Sequence, residues 1–299
     1  MAYCVPAPHQ CTCLYLFIEE ERELPLSRLL SLFRLPVRGL MLFSAALLVA
    51  CQGSPLVDAQ YQAQGQDSRV RHVVLHYTWE TTPDSLRILT QQAVSAHYLI
   101  TDDEPAQVWQ LVDENRRAWH AGESFWNGTT GLNATSIGIE IVNLGARAYG
   151  NTIPENRVDW DEFSPSQMQR LIALLQDIVA RHKIRPQNIV GHSDIAPQRK
   201  IDPGPRFDWE QLAQAGLGRW YNAEHVAAQQ ARYVAEGLPS IAWAQEQLQH
   251  LGYKIEPTGN VDEQTRNVIR AFQMHYRPAR YDGVLDIETA AIMQVLSGN

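Results

Sequence analysis

Three stretches of the chain are apolar and β-branched over most of their length: RHVVLHYT (71–78), SIGIEIVN (136–143) and NIVGH (188–192). Runs of that length and composition predict strands. Between the second and third, SPSQMQRLIALLQDIVARHKI (164–184) repeats its apolar positions at helical spacing, with Ser164 placed to cap and Pro165 at the first helical position. Strands and helices that interleave in this way predict an α/β domain around a central sheet. Gln52 to about Gln66 is rich in Gln, Ala, Ser and Gly and reads as a tether. Beyond Asn222, AEHVAAQQARYVAEGLP reads as a connecting helix or linker. It is followed by a short repeat, GNVDEQT (259–265) and GVLDIET (283–289), of the form G-x-x-D-x-x-T. In each copy Gly permits a turn and Asp262 or Asp286 caps the next helix, so two units of one design predict a small helical bundle.

Composition narrows the class. The 299 residues have an ordinary apolar fraction of 45% and carry a formal net charge of -8. That describes a folded protein, and the absence of a dense Lys/Arg run argues against nucleic acid as a partner. Cys4, Cys11, Cys13 and Cys51 are the only cysteines, so everything after Cys51 can form neither a disulfide framework nor a Cys-ligated zinc site. Arg34 and Arg38 precede an apolar run from Leu40 to Ala50, too short for a membrane span but suited to the apolar region of a signal peptide; a buried helix is the alternative. LVAC (48–51) resembles the site at which bacterial lipoprotein precursors are cut and acylated on cysteine, which makes Cys51 the expected lipidation site, and Gln52 suits delivery to the outer membrane. Because acidic EEERE precedes the basic segment, the true start is expected at Val37 or Met41, and the CTC at 11–13 is a weak metal signal by itself.

The densest chemistry lies in GHSDIAPQRKIDPGP (191–205). A hydrolytic zinc site takes three protein ligands and keeps one position open, commonly using His with a carboxylate. His192 and Asp202 are too far apart for one helical turn and would meet across a loop shaped by Gly and Pro. His76, ending the apolar run VVL, would be delivered by a strand to the sheet rim. The spacing leaves both readings open, since a strand-end His can be structural and an Asp before Pro can serve a turn. Glu140 sits inside the strand IGIEIV, where a carboxylate needs a partner or a task. It is either a solvent-facing residue of an alternating strand or a general base of raised pKa. Lys200 is either an exposed loop residue or a stabiliser of developing negative charge.

VVLHYT, SAHYLI, RAWHAG, SIGIEIVN and GHSDIAPQRKIDPGP, in that order across about 71–212, resemble the motifs of the zinc-dependent N-acetylmuramoyl-L-alanine amidases of the type 2 family, relatives of the peptidoglycan recognition proteins. The resemblance implies a central mixed β-sheet flanked by helices, one Zn2+ held by His76, His192 and Asp202, Glu140 as catalytic acid/base and Lys200 as transition-state stabiliser. His97 and His120 match positions near the cleft and, with Trp119 and Trp126, are candidates for substrate contact or for packing. The segment 239–297 resembles a three-helix peptidoglycan-binding domain, which would raise the enzyme's local concentration on the polymer. The organisation expected is an N-terminal extension and lipoprotein signal peptide over 1–51, a tether over 52–70, a zinc amidase domain over 71–222, a linker over 223–238 and a peptidoglycan-binding domain over 239–299. The implied activity is hydrolysis of the amide between N-acetylmuramic acid and L-alanine, freeing stem peptides. Peptidoglycan and, through acylated Cys51, outer-membrane lipid are the expected partners, with the enzyme facing the periplasm. A recognition or tethering lipoprotein that binds without cutting, and a zinc carboxypeptidase with a similar binding module, are the alternatives.

Overall fold

The computed structural model describes residues 57–58, 60–146 and 159–298. The export segment, Cys51 and the three earlier cysteines lie outside the described residues. The chain divides at Gly65 into two compact units. Of the first, the described residues form no helix or strand. The second, Gln66–Asn299, holds all the elements below.

Among the described residues seven strands are formed: β1 (His72–Tyr77), β2 (Tyr98–Ile100), β3 (Val108–Gln110), β4 (Phe125–Trp126), β5 (Thr129–Thr130), β6 (Ser136–Ile141) and β7 (Ile189–Gly191). Five make a sheet of order β3-β2-β6-β1-β7, with only β2–β3 antiparallel, and β4–β5 form a separate hairpin. The mixed sheet is the expected one. β1 is buried at every position. That is why it reads as a continuous apolar run: a central parallel strand is covered on both faces.

The helices are α1 (Thr82–Gln91), α2 (Pro165–His182), the single turn α3 (His192–Ile195), α4 (Trp209–Gln214), α5 (Ala223–Glu236), α6 (Ile241–Leu251), α7 (Glu263–Tyr276) and α8 (Ile287–Ser297). α2 begins as its sequence predicts. Ser164 Oγ accepts from Gln167 N at 3.2 Å, and Gln167 Oε1 accepts from Ser164 N at 2.9 Å, a reciprocal cap. Its buried Met168, Leu171, Leu175 and Ile178 lie on one face against the sheet, each stabilising by about 1.5–3 kcal/mol when fully buried.

The segment 223–238 is not a free linker. Val226 and Tyr233 of α5, seven residues apart and so on one face, are buried in the core that holds α6 to α8. That core also takes in Val74, Trp126, Leu132, Val190, Ile195 and Ala196 from the sheet region. The sheet and the C-terminal helices therefore share apolar packing.

The repeat has a shared construction. Asp262 Oδ1 accepts from Thr265 N and Asp286 Oδ1 from Thr289 N, the expected N-caps. In addition, a buried glutamine from the preceding helix braces each loop. Gln245 Oε1 accepts from Gly259 N while its amide donates to Thr265 Oγ1; Gln273 does the same for Gly283 N and Thr289 Oγ1. The motif's Gly, Asp and Thr are thus the three contact points of one polar clasp.

Candidate active site

The site is built on β1 and β6. Their parallel register sets His76 beside Glu140, Val74 beside Gly138 and His72 beside Ser136. Residues in register on neighbouring strands face the same side of a sheet, so Ser136, Gly138 and Glu140 share a face with His76. The ring of His120 lies directly over Gly138, where a Cβ would stand 2.3 Å from His120 Cγ. Glycine in this strand makes room for that ring.

β7 delivers the next candidate ligand, His192. It ends at Gly191, and α3 begins on His192. A Cβ at Gly191 would meet Pro203 Cδ at 2.7 Å, so the glycine lets the 202–205 loop close onto the strand end. Ser193 N donates to Asp202 O at 2.8 Å and fixes that loop. The result is a triangle: His76 Nδ1 to His192 Nδ1 3.0 Å, His76 Nδ1 to Asp202 Oδ2 3.0 Å, and His192 Nδ1 to Asp202 Oδ2 3.1 Å, all buried.

Hydrogen bonding alone does not satisfy this triangle. If both imidazoles donate to the carboxylate, two N–H groups face each other; if one donates to the other, an edge lacks a proton. A cation on the common side satisfies all three atoms. Tetrahedral zinc with ligand bonds of about 2.0–2.1 Å places its ligand atoms about 3.3 Å apart, close to the spacing found. The far ring nitrogens are also held. His192 Nε2 donates to Ala121 O at 3.2 Å, and His76 Nε2 meets His120 Nδ1 at 3.0 Å, with His120 Nε2 in turn on Ser136 Oγ at 3.1 Å. Partners there set the Nδ1 atoms free to ligate, the arrangement usual in metal sites. The residues fit zinc.

The profile of the family described as N-acetylmuramoyl-L-alanine amidase matches residues 66–205, and that of a peptidoglycan binding domain matches 238–293. The N-acetylmuramoyl-L-alanine amidase AmiD of Escherichia coli (strain K12) is 43% identical over 273 residues, covering 87% of this chain and 97% of that protein. The chain belongs to the N-acetylmuramoyl-L-alanine amidase family. Its fold is that of solved amidases. AmiD from E. coli, in complex with anhydro-N-acetylmuramic acid-L-Ala-D-gamma-Glu-L-Lys, matches with a TM-score of 0.70 and 42% identity over 80% of this chain and 93% of that one. AmpDh3 from Pseudomonas aeruginosa, in complex with anhydromuramic pentapeptide, matches with a TM-score of 0.74 and 38% identity over 82% and 98%.

The amidase site opens into a cleft of about 290 Å3 lined by, among others, Tyr77, Trp79, Trp119, Glu140, Lys200 and Asp202. Burial and then the neighbouring His192 push the His76 pKa down to about 4, so the ring is neutral near pH ~7. Burial would raise Asp202, but the neighbouring His192 and the hydrogen bonds of both histidines hold its carboxyl well below the usual range. Glu140 goes the other way: burial, then the Asp202 charge, raise it well above the ordinary value, with Lys200 opposing. One of its oxygens, Oε2, is buried without a hydrogen-bond partner, although the residue is partly reached from the cleft.

The substrate candidates separate. Trp119 is 53% exposed on the cleft wall, with the Arg117 guanidinium 4.3 Å from its ring centre. His120 lines the cleft and is also bound to His76. His97 is 0% exposed and does not line the cleft. Its Nδ1 accepts from Gly138 N and its Nε2 meets Arg116 O, so it braces the strand instead of reaching substrate. Trp126 is likewise in the core, edge-on to Tyr253. Sequence reasoning missed Trp79, whose φ of 60° turns the chain sharply after β1 at the cleft wall, and Arg199, which donates to the carbonyls of Ala121 and Glu123 and ties down the loop under His192.

Proposed function

We propose that this chain is a zinc amidase that hydrolyses the amide bond between N-acetylmuramic acid and L-alanine in peptidoglycan and releases stem peptides. The observation that carries this reading is the buried triangle of His76, His192 and Asp202 beside the unpartnered carboxylate of Glu140, all at one cleft. His76, His192 and Asp202 would hold the metal. When bound, zinc supplies a Lewis acid that polarises the scissile carbonyl and acidifies water. Glu140 takes a proton from the attacking water and returns it to the leaving L-alanine nitrogen, a shuttle suited to its raised pKa. Lys200 places positive charge beside the carbonyl oxygen as its negative charge develops. Trp119 offers an apolar wall to the muramyl or peptide part of the substrate.

The similar amidases solved with anhydro-muramyl peptides support small fragments as substrates here as well. The region matching a peptidoglycan binding domain supports action on the polymer. Cys51 in LVAC supports an outer-membrane lipoprotein facing the periplasm, anchored by its acyl chains. No helix among the described residues is long and apolar enough to cross a membrane.

The test is incubation of the full chain with zinc and intact sacculi, beside chelated enzyme and Glu140→Ala, with released fragments identified by mass. Free stem peptides with a new L-alanine amino terminus, absent from both controls, are expected. Binding to sacculi with no such release would make the chain a recognition protein.

A further inference from the structure

The four-residue turn α3 carries His192 and, through Ser193 N, grips the backbone of Asp202. So short a helix does not hold its own geometry. What holds it is the carboxylate of Asp194, which is 0% exposed and receives three donors. One is local: Gly191 N donates to Oδ2 at 2.8 Å. The other two come from the C-terminal helices. Tyr253 OH, just beyond α6, donates to Oδ1 at 2.6 Å, and His275 Nδ1 of α7 donates to Oδ2 at 2.8 Å.

Both distant donors are themselves fixed. The His275 ring is stacked between Trp209 at 3.8 Å and Tyr276 at 4.0 Å between centroids, and its Nε2 is buried with no partner. With the proton on Nδ1 and donated to Asp194, the unsatisfied atom is a lone pair and not an N–H. The Tyr253 ring packs edge-on to Trp126 at 5.0 Å, and Gly252 O accepts from Asn127 N at 2.9 Å, pinning the same loop to the β4–β5 hairpin.

We propose that Tyr253 and His275 are positioning residues of the metal site: by fixing Asp194 they set the turn that aims His192, so the C-terminal helices complete the catalytic centre as well as meeting the polymer. The proposal rests on the zinc amidase reading above. A buried carboxylate that loses a donor is left underpaired, and the turn it closes is free to shift.

The test uses the full chain with Tyr253→Phe, which removes one hydroxyl; His275→Phe, which keeps a stackable ring without the donor; and His275→Asn, which keeps an N–H near the Nδ1 position. Zinc affinity is measured by competition with a chelator, beside kcat, KM, the metal-free melting temperature and pelleting with sacculi. Loss of a partner behind a metal ligand typically costs 10–100-fold, so Tyr253→Phe and His275→Phe are expected to weaken zinc binding by about 10-fold and lower kcat. KM and sacculus pelleting should be unchanged, and His275→Asn should recover most of the loss. Variants that melt earlier yet bind zinc and turn over as the unmodified chain does would overturn the proposal, leaving the contacts as packing. Should His275→Phe fail to fold, Tyr253→Phe decides by the same readouts. An unmodified chain that binds no zinc would remove the amidase reading and this proposal together.

Discussion

Glu140 is the residue at which fold and chemistry conflict most directly. Its strand neighbours are apolar, it faces the same side as His76, and one carboxylate oxygen has no partner. A group whose folded pKa is raised stabilises the fold below its unfolded pKa and loses that contribution as pH rises through the folded value. In the metal-free chain Glu140→Gln should therefore match the unmodified protein near pH ~4, then become progressively more stable than it as pH rises beyond the ordinary Glu value of about 4.3. Metal-free melting temperatures across that range test this, and a pH-independent difference between the two chains would sink it. Activity should move the opposite way, with Glu140→Gln losing roughly 10²–10⁴-fold in kcat. The same conflict explains why the sequence exposes this residue: a carboxylate within an apolar strand run is visible without any structure. Gly138, two positions earlier, carries no such mark, because the ring it admits arrives from a distant loop.

Among the elements, α2 shows how a helix is tied to the sheet by polar contacts as well as by its apolar face. At its C-terminal end Arg181 and His182 donate to Glu114, which also accepts from Tyr98 OH of β2 at 2.6 Å. Burial alone would raise the Glu114 pKa, but those hydrogen bonds hold it to about 2. A depressed folded pKa stabilises above the unfolded value and loses that effect as pH falls toward the folded one. Glu114→Gln is accordingly expected to lower the urea midpoint at neutral pH, with the difference shrinking between about pH 4.3 and pH 2. A difference that persists undiminished at the acid end would show that shape, not charge, matters there. The helix itself was legible from its spacing and its Ser-Pro start. Its electrostatic anchor was not, because Glu114 is separated from Arg181 by the β4–β5 hairpin, by β6 and by most of α2.

At the scale of the whole molecule, the sheet region and the C-terminal helices form one compact unit from Gln66 onward and share a core. Besides the Asp194 cluster, Trp160 Nε1 donates to Tyr281 OH at 2.8 Å and Asn267 donates to Gln198 at 2.9 Å across the same boundary. Regions joined in this way should unfold together. Thermal unfolding of the full chain, followed by tryptophan fluorescence and by far-UV circular dichroism, is expected to give coincident transitions. Two separated transitions would mean that the catalytic and C-terminal regions are energetically independent despite their contacts.

The sequence by itself determined what is encoded in local pattern. The three apolar runs became β1, β6 and β7; Ser164 and Pro165 began α2; the Gly and Asp of each repeat made its turn and its cap. His76, His192, Asp202 and Glu140 could be singled out as candidates, but their spacing left a structural reading open for each, and only the resemblance to the amidase motifs gave them roles. The tertiary structure decided what depends on residues far apart in the chain. It turned three candidate ligands into a triangle with sides near 3 Å. It sent His97 and Trp126 into the interior, put Trp119 on the cleft wall, and brought His275 and Tyr253 onto Asp194. Such choices rest on which side chains meet across the sheet and the shared core, and no periodicity along the chain records them.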